Sequence, residues 1–145
     1  MKTRERQGQM HAWYWKCGWI ILAGGIGSLA RYGLTEWVES WFGKLFPYGT
    51  MIVNLVGCLL FGVVWGSCDR GALSVETRLI LLVGFMGGFT TFSSFAFHNE
   101  QMIVDKQWAY LMVNVLVQNI VGIAAIWVGI KLAELMVPVA AVPPG

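Results

Sequence analysis

The chain has 145 residues, of which 57% are hydrophobic and 12% charged, and its formal net charge is +2. Soluble domains carry about 25% charged residues, so the composition excludes an ordinary soluble protein and a nucleic-acid partner, and indicates one small membrane domain. Three cysteines give no disulfide framework, and no phosphate loop, HExxH or GxSxG motif indicates an enzyme.

Four hydrophobic segments follow a polar, basic start. They cover residues 19–38, 50–67, 79–98 and 108–136. A helix of roughly 20 residues spans the hydrocarbon core, so we expect an all-α protein with four transmembrane helices. The expected parts are a basic N-terminal tail (1–17), a four-helix membrane domain (18–137) and a disordered C-terminal tail (138–145).

Polar residues inside the first two segments need an explanation. A charge at bilayer depth costs roughly 2.5 kcal/mol or more, so Arg31 is either an anchor that reaches the interface or a cation at the mouth of an anion path. Asn54 either makes an interhelical hydrogen bond or is a pore-lining donor. We favour the pore, because the third segment is also polar.

The third segment contains the most informative run, GGFTTFSSF at residues 87–95. Two glycines and four hydroxyl side chains can open a helix and expose carbonyl oxygens, which suit a hard cation such as Na⁺. Phe92 and Phe95 share a helical face. Packing is their simplest role, but the positive edge of an aromatic ring can also solvate a small anion.

The fourth segment carries Asn114, Gln118 and Asn119 and, like the others, has no carboxylate near its middle. A proton-coupled transporter usually needs an embedded carboxylate or His, so passive conduction is favoured. Small residues four apart indicate close helix packing. These pairs are Gly24 with Ser28, Gly62 with Gly66, Gly84 with Gly88, and Ala125 with Gly129.

Four blocks of sequence resemble the Fluc (CrcB-type) fluoride channels of microbial membranes. They are GGIGSLARY at 24–32, Gly49-Thr50 with VNLVG at 53–57, GFMGGFTTFSSF at 84–95, and Asn114-Val115 followed by Gly122. The third block is the most specific, and the resemblance covers roughly residues 24–129.

This resemblance implies an antiparallel, dual-topology homodimer in the lipid bilayer of the bacterial inner membrane, with a broken third helix. It also implies passive efflux of F⁻ from the cytoplasm, which reduces fluoride toxicity. The implied pore residues are Asn54, Phe92, Phe95, Ser94, Thr91 and Arg31. One central, structural Na⁺ would be held by backbone oxygens of Gly87 and Thr90.

One departure from the family lies just after the second pore phenylalanine. The family usually reads Phe-Ser-Thr-Phe-Ser with an acidic residue two places on, whereas Phe95 is followed here by Ala96 and then His98. These two residues are the ones expected to change a vestibule contact or the pH response.

The distribution of basic residues is the second departure. Four spans place seven of them on the side of the N-terminus: Lys2, Arg4, Arg6, Lys16, Arg70, Arg78 and Lys131. Only Lys44 and Lys106 lie on the other side, which predicts a cytoplasmic N-terminus. Insertion in both orientations needs nearly equal numbers of basic residues on the two sides. Either the tail charges have little influence on orientation, or the chain pairs with an oppositely oriented relative.

Two other functions remain as alternatives. A small four-helix multidrug-type exporter needs an embedded carboxylate in its first helix, which this chain lacks, and it would take up a cationic dye in exchange for protons. A non-transporting membrane assembly subunit would use its polar membrane residues only for packing, and would give no ion flux.

Overall fold

A computed structural model describes the backbone of residues 2–138 and the side chains of residue 10 and residues 13–138. Within these residues all regular structure is helical. The helices are α1 (Lys2–Phe42), α2 (Tyr48–Asp69), α3 (residues 75–89), α4 (Phe92–Val104) and α5 (Trp108–Met136). The all-α prediction is confirmed. The predicted disordered tail lies, except for Pro138, outside the described residues.

Three described stretches are long and apolar enough to cross a membrane: Tyr48–Asp69, Val75–Val104 (which contains α3 and α4) and Trp108–Met136. Helix α1 falls short of that apolarity because Arg31 and several glycines dilute its hydrophobic residues. Its 41 residues are long enough, since they extend about 60 Å at 1.5 Å per residue. A fourth membrane crossing by α1 therefore stays a prediction.

Helix α1 also passes through the predicted boundary at residue 17 without interruption. The basic tail and the first hydrophobic segment are thus one continuous helix. Lys16 forms an ion pair with Glu76, at 3.3 Å, and thereby attaches this part of α1 to the start of α3.

Contacts at the two ends show that α2 and α5 run parallel to each other, so the stretch from Val75 to Val104 that connects them runs the opposite way. At one end, called here the N-terminal end, Arg70 after α2 donates a 3.0 Å hydrogen bond to the carbonyl oxygen of Val137 after α5. At the other, called here the loop end, the ring of Phe46 meets that of Tyr110, with centroids 5.7 Å apart. The bundle therefore places Lys16 of α1 and Val137 after α5 at the same end as the α2–α3 loop.

Small residues allow the helices to approach closely, as their spacing predicts. A Cβ on Gly129 would collide with the backbone of Leu59 in α2, and Gly66 lies against Ala133 in α5. Between α1 and α3, a Cβ on Gly88 would collide with the backbone of Gly24. The exterior is apolar, with largely exposed residues such as Ile21, Leu29, Trp41 and Leu135, which suits a lipid environment.

Candidate functional site

The helical stretch that begins at Val75 is interrupted by two threonines. Thr90 (φ −83°, ψ 158°) and Thr91 (φ −149°, ψ 111°) are both extended, whereas Gly87 keeps helical dihedrals (φ −61°, ψ −35°). The Thr91 hydroxyl then accepts a hydrogen bond from the Ser94 N–H, at 3.2 Å, and so caps α4. The backbone thus leaves the helix after Phe89, and the glycines remain inside it.

Asn54 of α2 pairs with the backbone at this interruption. Its Oδ1 accepts from the Thr91 N–H at 2.8 Å, and its Nδ2 donates to the Thr91 carbonyl oxygen at 3.1 Å. In lipid no water satisfies a broken helix, so a side chain must replace the lost partners. Asn54 does so for both backbone groups of one residue.

A chain of amide side chains continues from Asn54 across three helices. Asn54 Nδ2 donates to Gln118 Oε1 at 2.8 Å, and Gln118 Nε2 donates to Asn114 Oδ1 at 2.8 Å. Asn114, which is fully buried, donates to Asn99 Oδ1 at 2.7 Å. The network links α2, α5 and α4 and runs from the interruption towards the loop end.

A cavity of about 320 Å³ opens beside this network. It is lined by Asn54, Gly57, Cys58, Phe61, Met86, Thr90, Thr91, Phe92, Phe95, Gln118, Asn119 and Ile126. The rings of Phe92 and Phe95 lie 5.6 Å apart at an interplanar angle of 44°. The wall is therefore mostly apolar, with a few polar groups, as is usual for a binding site.

The structure explains why a glycine, Gly57, lies three residues after Asn54 on the same face of α2. A Cβ at residue 57 would collide with the Thr90 side chain and would lie 3.4 Å from the Phe89 ring. The glycine lets the interrupted backbone lie directly against α2, where Asn54 reaches it.

The structure brings together most, but not all, of the predicted site residues. Asn54, Thr91, Phe92 and Phe95 line the cavity, as does Thr90, one of the two predicted sodium ligands. Ser94 lies just outside the lining, and its Oγ accepts from the Thr91 hydroxyl at 3.0 Å.

The other two predicted residues lie away from this cavity. Arg31 is on α1 and does not line it. Gly87 is exposed on α3, and a Cβ there would meet no atom within 4 Å among the described residues. Neither residue is therefore part of the cavity wall.

A second, more polar cavity of about 410 Å³ lies at the loop end. Its lining includes Glu39, Lys44, His98, Gln101 and Asp105, and Lys44 pairs with Glu39 at 3.3 Å. The buried Nδ1 of His98 has no hydrogen-bond partner among the described residues. His98, the departure noted in the sequence, therefore faces this cavity and not the amide network.

Comparison with known proteins gives a consistent family. The family model described as "CrcB-like protein, Camphor Resistance (CrcB)" matches residues 18–130. The chain belongs to the CrcB family. Two relatives named "Fluoride-specific ion channel FluC" come from Solidesulfovibrio magneticus and Nitrosococcus oceani. They are 45% and 40% identical over 122 residues, which is 83% of this chain and 98% of each relative.

Sequence reasoning about this CrcB chain did not identify the whole amide network. From the sequence, Asn114 and Gln118 are predicted only as polar membrane residues, and Asn99 carries no prediction. Two spacings could have indicated them. Gln118 follows Asn114 by four residues, and Asn99 follows Phe95 by four, so each pair shares a helical face.

Proposed function

We propose that this chain is a fluoride-specific ion channel, which lets F⁻ leave the cytoplasm passively and so reduces fluoride toxicity. The observation that carries the proposal is the cavity beside the interruption, which is lined by the amides of Asn54 and Gln118 together with the rings of Phe92 and Phe95. Fluoride is small and strongly hydrated, so a selective path must replace its water with directed partial charges. Amide N–H groups and aromatic ring edges both carry such charges.

The proposed assembly is an antiparallel, dual-topology homodimer in the bacterial inner membrane. Phe92 lines the cavity and yet is 78% exposed in the single chain. A second copy packed against this face would close the cavity and exclude lipid from it. Gly87 is exposed as well, which leaves the α3 backbone accessible to the same second copy.

We further propose one structural Na⁺ at the centre of the dimer, held by backbone oxygens of Gly87 and Thr90. The geometry at the interruption fits this ion, because the Thr91 N–H donates to Asn54 and so is not committed to the Gly87 carbonyl as in a continuous helix. Neutral oxygens are suitable ligands for a hard cation. The ion would brace the interrupted helices of both subunits, with no part in moving F⁻.

Efflux from liposomes tests the proposed function directly. Purified protein is reconstituted with internal KF or KCl, and release is read with a fluoride or a chloride electrode. Rapid release of F⁻ with little release of Cl⁻ is expected. No F⁻ release from a well-folded dimer would contradict the proposal, and proton-driven uptake of a cationic dye would favour an exporter.

A further inference from the structure

Asn54 has no hydrogen-bond donor left for an anion. A neutral amide side chain offers two N–H donors and one carbonyl oxygen. The Nδ2 of Asn54 donates both to the Thr91 carbonyl and to Gln118, and its Oδ1 accepts from the Thr91 N–H. Two of these contacts hold the interrupted backbone in place, and the third holds the Gln118 side chain. An ion that took an N–H from Asn54 would have to break one of them.

The direction of every amide in the network follows from the backbone of Thr91. A backbone N–H can only donate, so Asn54 must turn Oδ1 towards it and Nδ2 towards Gln118. Gln118 must then present Oε1 to Asn54 and Nε2 to Asn114, and Asn114 presents Nδ2 to Asn99. The orientation of Gln118 is therefore imposed by Thr91 through Asn54.

Gln118 retains one N–H without a partner among the described residues. Its Oε1 accepts from Asn54, and one hydrogen of Nε2 goes to Asn114, which leaves the second. The side chain also lines the cavity. The hydroxyls beside it are occupied, since Thr90 donates to the Met86 carbonyl and Thr91 donates to Ser94.

Asn119 is the other amide at the cavity. Its Nδ2 donates to the Val115 carbonyl of its own helix, at 2.7 Å, and the residue is exposed. Among the described residues, no hydrogen bond from another helix orients this side chain. Gln118 is thus the amide that combines a free N–H, a fixed orientation and a place in the wall.

We infer that the free N–H of Gln118 is the donor that binds F⁻ in the cavity, and that Asn54 is a positioning residue. This inference rests on the proposed fluoride conduction. A hydrogen bond to an ionised acceptor is roughly twice as strong as one between neutral groups, so a single oriented N–H can replace part of the ion's hydration. The rings of Phe92 and Phe95 line the same cavity, and aromatic ring edges carry partial positive charge.

Dilute reconstitution separates the two roles. When most liposomes hold one channel or none, the fraction that releases F⁻ counts folded channels, and the rate of release measures conduction by each one. Gln118→Met should lower the rate at least about tenfold and leave the fraction unchanged. Asn54→Ala should instead lower the fraction and the thermal unfolding temperature.

Three further variants control this result. Gln101→Met makes the same change outside this cavity, and should keep the wild-type rate. Gln118→Glu keeps the volume and the oxygen that accepts from Asn54, and a lower rate is expected there too, even if Gln118→Met fails to fold. Asn119→Leu tests the competing amide.

The outcomes distinguish the inference from the function. If the wild type conducts F⁻ and folded Gln118→Met or Gln118→Glu conducts at the same rate, the inference is overturned and the channel stands. A loss of rate confined to Asn119→Leu overturns it as well. If the wild type releases no F⁻, the proposed function itself fails.

Discussion

Phe92 and Phe95 lie on one face of α4 with their ring centroids 5.6 Å apart, and both line the cavity. Isoleucine would keep the apolar bulk but would remove the positively polarised ring edge. Phe92→Ile and Phe95→Ile should therefore each reduce F⁻ efflux, by about tenfold, while the dimer still assembles. Efflux from liposomes and size-exclusion chromatography are the measurements.

Phe97 provides the matched control for these two variants. It lies on the same helix, is 58% exposed and does not line the cavity. Phe97→Ile should leave the efflux unchanged. Wild-type efflux from both pore variants would contradict a role for the ring edges, and would leave packing as the function of these rings.

The residue scale also shows what the sequence could and could not predict. The run of glycines and hydroxyl residues contains Thr90 and Thr91, which have extended dihedrals in the structure. The run alone could not show that the glycines stay helical. Gly88 packs against Gly24 of α1, and this contact between two helices cannot be deduced from the run itself. The run also could not show that Thr90 and Thr91 leave the helix, since the partner that satisfies Thr91 is Asn54, 37 residues earlier.

At the scale of the helices, the contact between α2 and α5 depends on glycine. A Cβ at Gly129 would meet the backbone of Leu59 and of Val63, and neither can move aside without shifting its helix. Gly129→Ala should therefore destabilise the protein by about 1–3 kcal/mol, as overpacking usually does. Thermal unfolding in detergent measures the effect.

Gly33 is the control for this substitution. It lies in α1, is exposed, and a Cβ there would meet nothing within 4 Å among the described residues. Gly33→Ala should be neutral or slightly stabilising, because alanine has the higher helix propensity. Equal stability of the two variants would show that α2 and α5 are not packed as closely as described.

The spacing of small residues predicted these helix contacts, because the small face of a helix can be identified from the sequence of that helix alone. The amide network was harder to predict, since it requires α2, α4 and α5 to turn particular faces towards one another. Asn114 illustrates this: its spacing places it on a face with Gln118, but only the packing of α4 places Asn99 within 2.7 Å of it. Rotations between helices are set by packing across the whole bundle.

For the whole molecule, the decisive question is orientation in the membrane. The N-terminal end of the bundle, marked by the Lys16–Glu76 ion pair and the Arg70–Val137 hydrogen bond, carries most of the basic residues, whereas Lys44 follows α1 at the loop end. An antiparallel homodimer needs both orientations, and the tail charges favour only a cytoplasmic N-terminus. The wild type should therefore insert both ways, with an excess of that orientation.

Replacing Lys2, Arg4 and Arg6 with glutamine should shift the two populations towards equality and increase the yield of dimer. Leu45, which is 72% exposed at the loop end, provides the reporter. Leu45→Cys, in a chain whose three native cysteines are replaced by serine, is labelled in intact spheroplasts with a membrane-impermeant thiol reagent. Labelling of lysed cells, in which both sides of the membrane are accessible, gives the total number of chains that can be labelled. The antiparallel homodimer would be contradicted if all or none of the chains were labelled and the tail substitutions did not change this. Every copy of this chain would then have the same orientation, and an oppositely oriented partner would have to be a different protein.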